Sequence, residues 1–247
     1  MYFAFDVDGT LTPSRQSISP DFGKWFREWI SFVQGRGDFV LLVTGSDLPK
    51  TVEQLGSEIV DSVDYCCNCL GNTVYKKGLQ VHHYEFNMPN QLKTFLDSEL
   101  NNSVYTERYG NHLENRGAMY NFSVVGRNAV GDQRRRYYEW DKLSGERIAI
   151  ANRINSKFSK VYAQVGGETG IDIIARGRDK RQVLRYMTGR CIHFYGDRMD
   201  EAGNDKPLAD AVKSESDLNR CYDVTGWKET WELLMDFERN RVINSVY

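Results

Sequence analysis

Residues 1–10 read MYFAFDVDGT. The run YFAFDV (2–7) is aromatic and branched without alternation, so it predicts a strand buried on both faces, ending in a turn at Gly9. Asp6 and Asp8 sit at its carboxyl end, two residues apart, and on extended chain such residues point to one side. Carboxylates this close repel each other unless a cation or a shared proton relieves them. Magnesium suits that place, since it takes hard oxygen ligands and keeps waters for a phosphate. Asp6 is then a candidate nucleophile toward phosphorus, with Asp8 handling the hydroxyl proton. A lone D-x-D is more often a pair of solvated turn residues.

The stretch that follows repeats the strand-then-helix alternation. Phe22, Trp25, Phe26, Trp29, Ile30 and Val33 recur at helical spacing after the start signal Ser19-Pro20-Asp21. FVLLV (39–43) predicts a second buried strand ending at Thr44-Gly45-Ser46, and a second helix covers 48–56. Such alternation is the mark of a parallel sheet with covering helices, whose active crevices lie at the carboxyl ends of the strands. The middle of the chain differs. MYNFSVV (119–125) alternates like a half-exposed antiparallel strand, VYAQV (161–165) and IDII (171–174) resemble it, and helices are predicted over 89–100 and 133–158. After that, DKRQVLRYMT (179–188) predicts a helix and CIHFY (191–195) a third buried strand ending at Gly196-Asp197. The reading is an α/β core interrupted by an α+β insertion.

Composition narrows the class. A net charge of −2 supplies no global positive field, which excludes nucleic acid and acidic membrane surfaces as partners. No apolar stretch reaches the roughly 20 residues of a membrane span, and nothing resembles a signal peptide, so a cytoplasmic protein is expected. Three of the cysteines crowd into CCNC (66–69); reduced thiols are expected, and a zinc site lacks further soft ligands at regular spacing.

Further segments carry chemistry. Thr44 and Ser46 offer hydroxyls and N–H groups to phosphate oxygens. Lys180 opens the helix after the insertion and can neutralise charge on a nucleophile, and Asp197 can complete a metal shell. These four segments, DVDGTLT, VTGSD, RDKRQVL and YGDRMDEAGND, resemble the ordered motifs of the haloacid dehalogenase superfamily. The likeness narrows: DVDGTLTPSRQSIS, VTGSDLPKTVEQLG, RGAMYNFSVVGRNAVGDQRR, VGGETGIDI, GRDKRQVLRY and FYGDRMDEAGND are similar, in order and spacing, to segments of eukaryotic-type phosphomannomutases.

That resemblance implies a Rossmann-like parallel-sheet core, residues 1–81 and 175–247, with an inserted α+β cap, 82–174. It implies phosphorylation of Asp6, acid–base work by Asp8, charge neutralisation by Lys180, and magnesium on Asp6, the backbone carbonyl of Asp8, and Asp197. Arg15, Arg116, Arg127, Arg134, Gly170 and Asp172 fall at substrate-binding places, with Thr44 or Ser46 on phosphate. Guanidinium forks suit the second dianionic end of a hexose bisphosphate. The implied reaction interconverts mannose 6-phosphate and mannose 1-phosphate, with a hexose 1,6-bisphosphate as activator and a homodimer joined through the caps; the alternative is a sugar-phosphate phosphatase, and a non-catalytic sugar-phosphate sensor is the third reading. Phe86, Met88, Leu92, Phe95 and Leu96 form a stripe that suits ordinary core as well as an interface. Three departures stand out: Gly170 replaces a serine of the family, Asn68-Cys69-Leu70-Gly71 replaces Pro-Glu-Asn-Gly, and Thr44 replaces a common glycine.

Overall fold

The structure is a computed structural model describing residues 1–244, with side chains through residue 241. Its larger sheet has seven strands. The first, β1 (Tyr2–Phe5), is completely enclosed by parallel neighbours: β2 (Phe39–Val43) on one side and β10 (Ile192–Gly196) on the other. Beyond them lie β3 (Tyr65–Asn68) and β11 (Arg220–Asp223), also parallel, and an antiparallel hairpin, β4 (Thr73–Lys76) with β5 (Leu79–His83), extends the β3 edge.

Alternation along β1 assigns its side chains to two faces. Phe3 and Phe5 enter a cluster with Phe22, Phe26, Trp29 and Ile30 of α1 (Pro20–Gly35), and both rings meet Trp29 edge-on, at 5.0 and 5.8 Å. Such contacts add to the burial of the rings themselves. Helices α2 (Leu48–Leu55) and α3 (Ser57–Ser62) and the long α8 (Trp227–Asn244) contribute to the same cluster. Tyr2 and Ala4 face the other way, toward Leu208 and Val212 of α7 (Lys206–Glu215) and Val183 of a turn discussed below.

The smaller sheet has four antiparallel strands in the order β6 (Leu113–Asn115), β7 (Tyr120–Phe122), β9 (Gly170–Ala175), β8 (Val161–Gly166). Ile171 and Ile173 point to a cluster with Leu92 and Leu96 of α4 (Asn90–Asn102), Tyr137 of α5 (Gly131–Ser144), and Ile150 and Ile154 of α6 (Glu146–Lys157). The stripe from Phe86 to Leu96 is spent in this cluster. Among the described residues no helix is long and apolar enough to cross a membrane, and the five cysteines are unpaired.

Several local expectations are corrected. The helix foreseen over 133–158 is two helices, broken where Gly145 takes a left-handed φ of +66°, a place where glycine carries no steric cost. The helix foreseen over 179–188 is 3₁₀ over Lys180–Tyr186, started by the Asp179 side chain accepting from the Arg181 N–H. The strand foreseen over 119–125 pairs only over Tyr120–Phe122, because the backbone of Ser123 turns aside to His112 and Gly126 has a φ of +95°. In the departed segment, Cys69 and Leu70 both hold left-handed backbone, at φ 50° and 61°, which non-glycine residues adopt only at a cost. Both are buried against Ala118, Met119 and Ile174, an apolar seam that joins the two sheets and offsets the strain.

His193, inside β10, tests the packing. It lies between Phe3, Phe237 and Tyr222, and its Nδ1 stands 3.1 Å from the Tyr222 hydroxyl. Burial, then Arg220, pushes its pKa down from 6.5 to about 4. The folded state therefore resists a proton that the unfolded chain accepts, so its contribution is complete above pH 6.5 and is lost as pH falls toward 4. Chemical denaturation across this window should show stability falling by up to about 3 kcal/mol. In His193→Gln that slope should flatten; an unchanged slope would assign the acid lability elsewhere.

Candidate active site

The carboxyl ends of β1 and β10 meet in one acidic cluster. Asp6 continues the strand pairing, its N–H donating to the Tyr195 carbonyl at 2.9 Å, and its side chain is buried. Oxygens of Asp6, Asp197 and Asp205 all lie within 4.8 Å of one another. Two glycines permit this crowding. A Cβ at Gly9 would stand 2.2 Å from Asp197 Oδ2, and one at Gly196 would stand 2.6 Å from Asp205 Oδ2. Gly9 also holds φ +81°, closed by its N–H donating to the Thr12 carbonyl.

Lys180 sits completely buried beneath the cluster, its Nζ 2.5 Å from Asp6 and 2.6 Å from Asp205. Burial works against this ammonium, yet Asp205 and Asp6 hold its pKa above the ordinary value, so it stays charged. One cation among three carboxylates leaves negative charge in excess. Burial pushes Asp6 up to about 7 against the pull of Lys180, with Asp205 and Asp8 adding to the rise. Burial, then Asp6 and Asp205, lifts Asp197 well above the carboxylate range. Hard oxygen donors, an unmet negative charge and strand-end placement fit a divalent cation such as magnesium.

Asp8 turns away from this cluster. Its Oδ1 accepts from the Arg15 N–H at 2.5 Å and from Gln54 Nε2 at 2.8 Å, Oδ2 makes no hydrogen bond among the described residues, and Asp8 lines the cavity. In the loop after β2, the Thr44 hydroxyl oxygen accepts from the Ser46 N–H at 3.0 Å, so Thr44 holds the loop. The Ser46 hydroxyl makes no hydrogen bond among the described residues, and it is the free one of the pair.

The opposite wall is basic. Arg116 and Arg127 converge on one oxygen, Oε2 of Glu114, at 2.7–3.1 Å. Arg116 also reaches across to the Gly45 carbonyl at 2.7 Å, tying the small sheet to the loop that carries Thr44 and Ser46. Arg134 binds Glu168 and the Thr169 hydroxyl. Burial, then Arg116 and Arg15, pushes Arg127 down to about 10, and burial together with Arg15 lowers Arg134 despite Glu168. At Arg127 the repulsion from Arg116 and Arg15 outweighs the relief from Glu114, whereas, against burial, Asp172 and Glu114 hold Arg116 above its ordinary range; a guanidinium left short of negative partners suits a further anion.

Asp6, Asp8, Arg15, Thr44, Ser46, Arg116, Arg127, Arg134, Gly170, Asp172 and Asp197 thus line a single cavity between the sheets, and Lys180 touches it through Asp6. Sequence reading gave no place to Asp205, Glu114, Glu168 or Asn121. Asp205 stood within a quoted motif but carried no spacing signal of its own, and Glu114 lies on a strand too short to show periodicity.

A parallel sheet with carboxylates clustered at its strand ends, a lysine between two of them, and a smaller sheet closing over them defines the haloacid dehalogenase type of fold. A solved structure of the C. albicans trehalose-6-phosphate phosphatase C-terminal domain shares it, with a TM-score of 0.61 and 16% identity over 91% of this chain and 79% of that one. The model of the eukaryotic phosphomannomutase family matches residues 30–230. A phosphomannomutase of Spinacia oleracea is 33% identical over 81% of this chain and 83% of its own length, and one of Saccharomyces cerevisiae is 32% identical over 81% and 82%. The chain belongs to the eukaryotic phosphomannomutase family.

The role of Gly9 gives a direct check. Gly9→Ala adds a Cβ where Asp197 lies and forces a left-handed φ on alanine. Calorimetric titration with magnesium should show affinity reduced about tenfold or more, with the thermal transition of the large sheet retained. Unaltered affinity would mean that Asp197 contributes nothing to cation binding.

Proposed function

We propose that this protein is a phosphomannomutase that interconverts mannose 6-phosphate and mannose 1-phosphate through a phosphorylated Asp6 and a hexose bisphosphate. The observation that carries this reading is the polarity of the cavity, acidic at the Asp6 end and basic at the arginine end. A substrate with two phosphorylatable ends fits such a cavity in either direction. The family supports the same assignment.

An Asp6 carboxylate oxygen attacks phosphorus, and the bond from phosphorus to the sugar oxygen breaks. Asp8, through its unbonded Oδ2, gives a proton to the departing oxygen or takes one from the hydroxyl that attacks the phosphoaspartate. The phosphoenzyme transfers its phosphoryl group to the free hydroxyl of a hexose monophosphate, and the bisphosphate so formed turns round and returns the other group to Asp6. Lys180 holds Asp6 in place and offsets charge on it. Asp6, Asp197 and the backbone carbonyl of Asp8, with Asp205 beside them, would hold magnesium, which would supply charge screening for the transferring phosphoryl group. Ser46 donates to phosphoryl oxygens at this end. At the other end Arg15, Arg116, Arg127 and Arg134 hold the idle phosphate, exchanging Glu114 and Glu168 for its oxygens. The cap, taken as residues 82–174, excludes water while it does so, which favours return of the phosphoryl group over hydrolysis.

The test follows both products. With magnesium, mannose 1-phosphate and a catalytic amount of hexose 1,6-bisphosphate, isomer formation should exceed phosphate release. Asp6→Asn should reduce isomer formation at least about a thousandfold. Arg134→Ala should raise the ratio of hydrolysis to isomerisation, since the grip on the idle phosphate weakens. Hydrolysis dominant in the unaltered protein would replace the mutase by a phosphatase.

A further inference from the structure

Asn121 and Asp172 stand directly opposite each other in the β7–β9 pairing, so their side chains share the face of the small sheet that closes the cavity. Asn121 Nδ2 donates to Asp172 Oδ1 at 2.7 Å. A carboxylate only accepts, so this bond determines which end of the amide meets Asp172 and leaves the carbonyl Oδ1 free. That oxygen is buried and accepts no hydrogen bond among the described residues, although Asn121, at 3% exposure, lines the cavity. A buried polar atom of this kind calls for a donor.

The same side chain explains the glycine that departs from the family pattern. A Cβ at Gly170 would lie 2.5 Å from Asn121 Nδ2 and 2.8 Å from its Oδ1. Gly170 has no left-handed φ, so a side chain there is opposed by the Asn121 amide, which would have to shift, and not by backbone angles. Asn121 therefore occupies the space that a serine at 170 would fill. The exchange has a chemical consequence. A serine hydroxyl both donates and accepts, whereas an amide oxygen accepts only and cannot serve a phosphate. Its complement is a hydroxyl. Thr169, adjacent to Gly170, binds Arg134, so the Asn121 amide lies near the arginine end of the cavity.

Resting on the reading of the cavity as a hexose phosphate site, we propose that Asn121 is a specificity-determining residue: seated in the room left by the absence of a side chain at position 170, it accepts a hydrogen bond from one sugar hydroxyl through Oδ1. Asp172 orients the amide and takes no part in that bond through Oδ1.

The experiment compares mannose 1-phosphate with its monodeoxy analogues, by calorimetric binding to the whole protein and by turnover. The unaltered protein should bind one analogue about ten- to a hundredfold more weakly than the parent. Asn121→Ala should bind the parent as weakly as the unaltered protein binds that analogue, and should no longer distinguish the two. Because the ratio is taken within each variant, a general loss of folded protein cancels. Gly170→Ser should weaken binding of the parent by displacing Asn121, and the double variant Asn121→Ala with Gly170→Ser should regain part of it through the new hydroxyl. A uniform penalty across all analogues in Asn121→Ala, or discrimination that survives the substitution, overturns the proposal, as does Gly170→Ser behaving like the unaltered protein. Turnover separates the two readings. Isomerisation without Asn121-dependent discrimination sinks this inference and leaves the mutase standing; discrimination in binding without isomerisation does the reverse.

Discussion

A completely buried ammonium between two carboxylates organises this molecule. Lys180 comes from the turn that follows the small sheet, Asp6 from the end of β1, and Asp205 from the loop after β10. Removing the lysine would leave buried carboxylates uncompensated, at a cost of several kcal/mol. Three remote segments are therefore held in one register by electrostatics as well as by packing. The glycine at 196 follows from it, because Asp205, drawn in by Lys180, leaves no space for a Cβ there, and Gly9 makes the same room for Asp197.

The charge left over shapes the rest of the cavity. Three carboxylates against one lysine make the floor acidic, and three arginines against Glu114 and Glu168 make the roof basic. Neither wall neutralises the other, since the cavity lies between them and Arg116 spends its reach on the Gly45 carbonyl. A cation at one end and an anion at the other are the complements of that arrangement. The Asp172 and Asn121 pair lies along the same cavity, folded over Gly166 and Gly170, an amide donating to a carboxylate.

The large sheet was legible because its evidence is local. Aromatic and branched runs at 2–7, 39–43 and 191–195 each became a central parallel strand, and the helical spacing from Phe22 to Val33 became α1. The elements β3, α7, β11 and the 18-residue α8 were not read at all, and much of what else escaped was short or stopped by a single turn: the two hairpin strands β4 and β5, the three-residue β6, the break at Gly145, and the 3₁₀ winding after Asp179. In these places a side-chain hydrogen bond or one left-handed residue overrides periodicity, and periodicity is the only signal that a window of sequence offers.

The candidate site divides along the same line. By itself the sequence determined which residue types stand at the strand ends and in which order, because strand, turn and motif are contiguous in the chain. It also marked Gly170 and Cys69-Leu70 as departures without a reason attached. Only the tertiary structure decided that Asp205 is the third carboxylate beside Asp6 and Asp197, that Asp8 faces Gln54 and Arg15, that two arginines share one oxygen of Glu114, and that Asn121 fills the place beside Gly170. Each of these contacts joins side chains brought together by strand register and loop closure, and the free energy of such a meeting depends on distances that no local pattern of residues encodes.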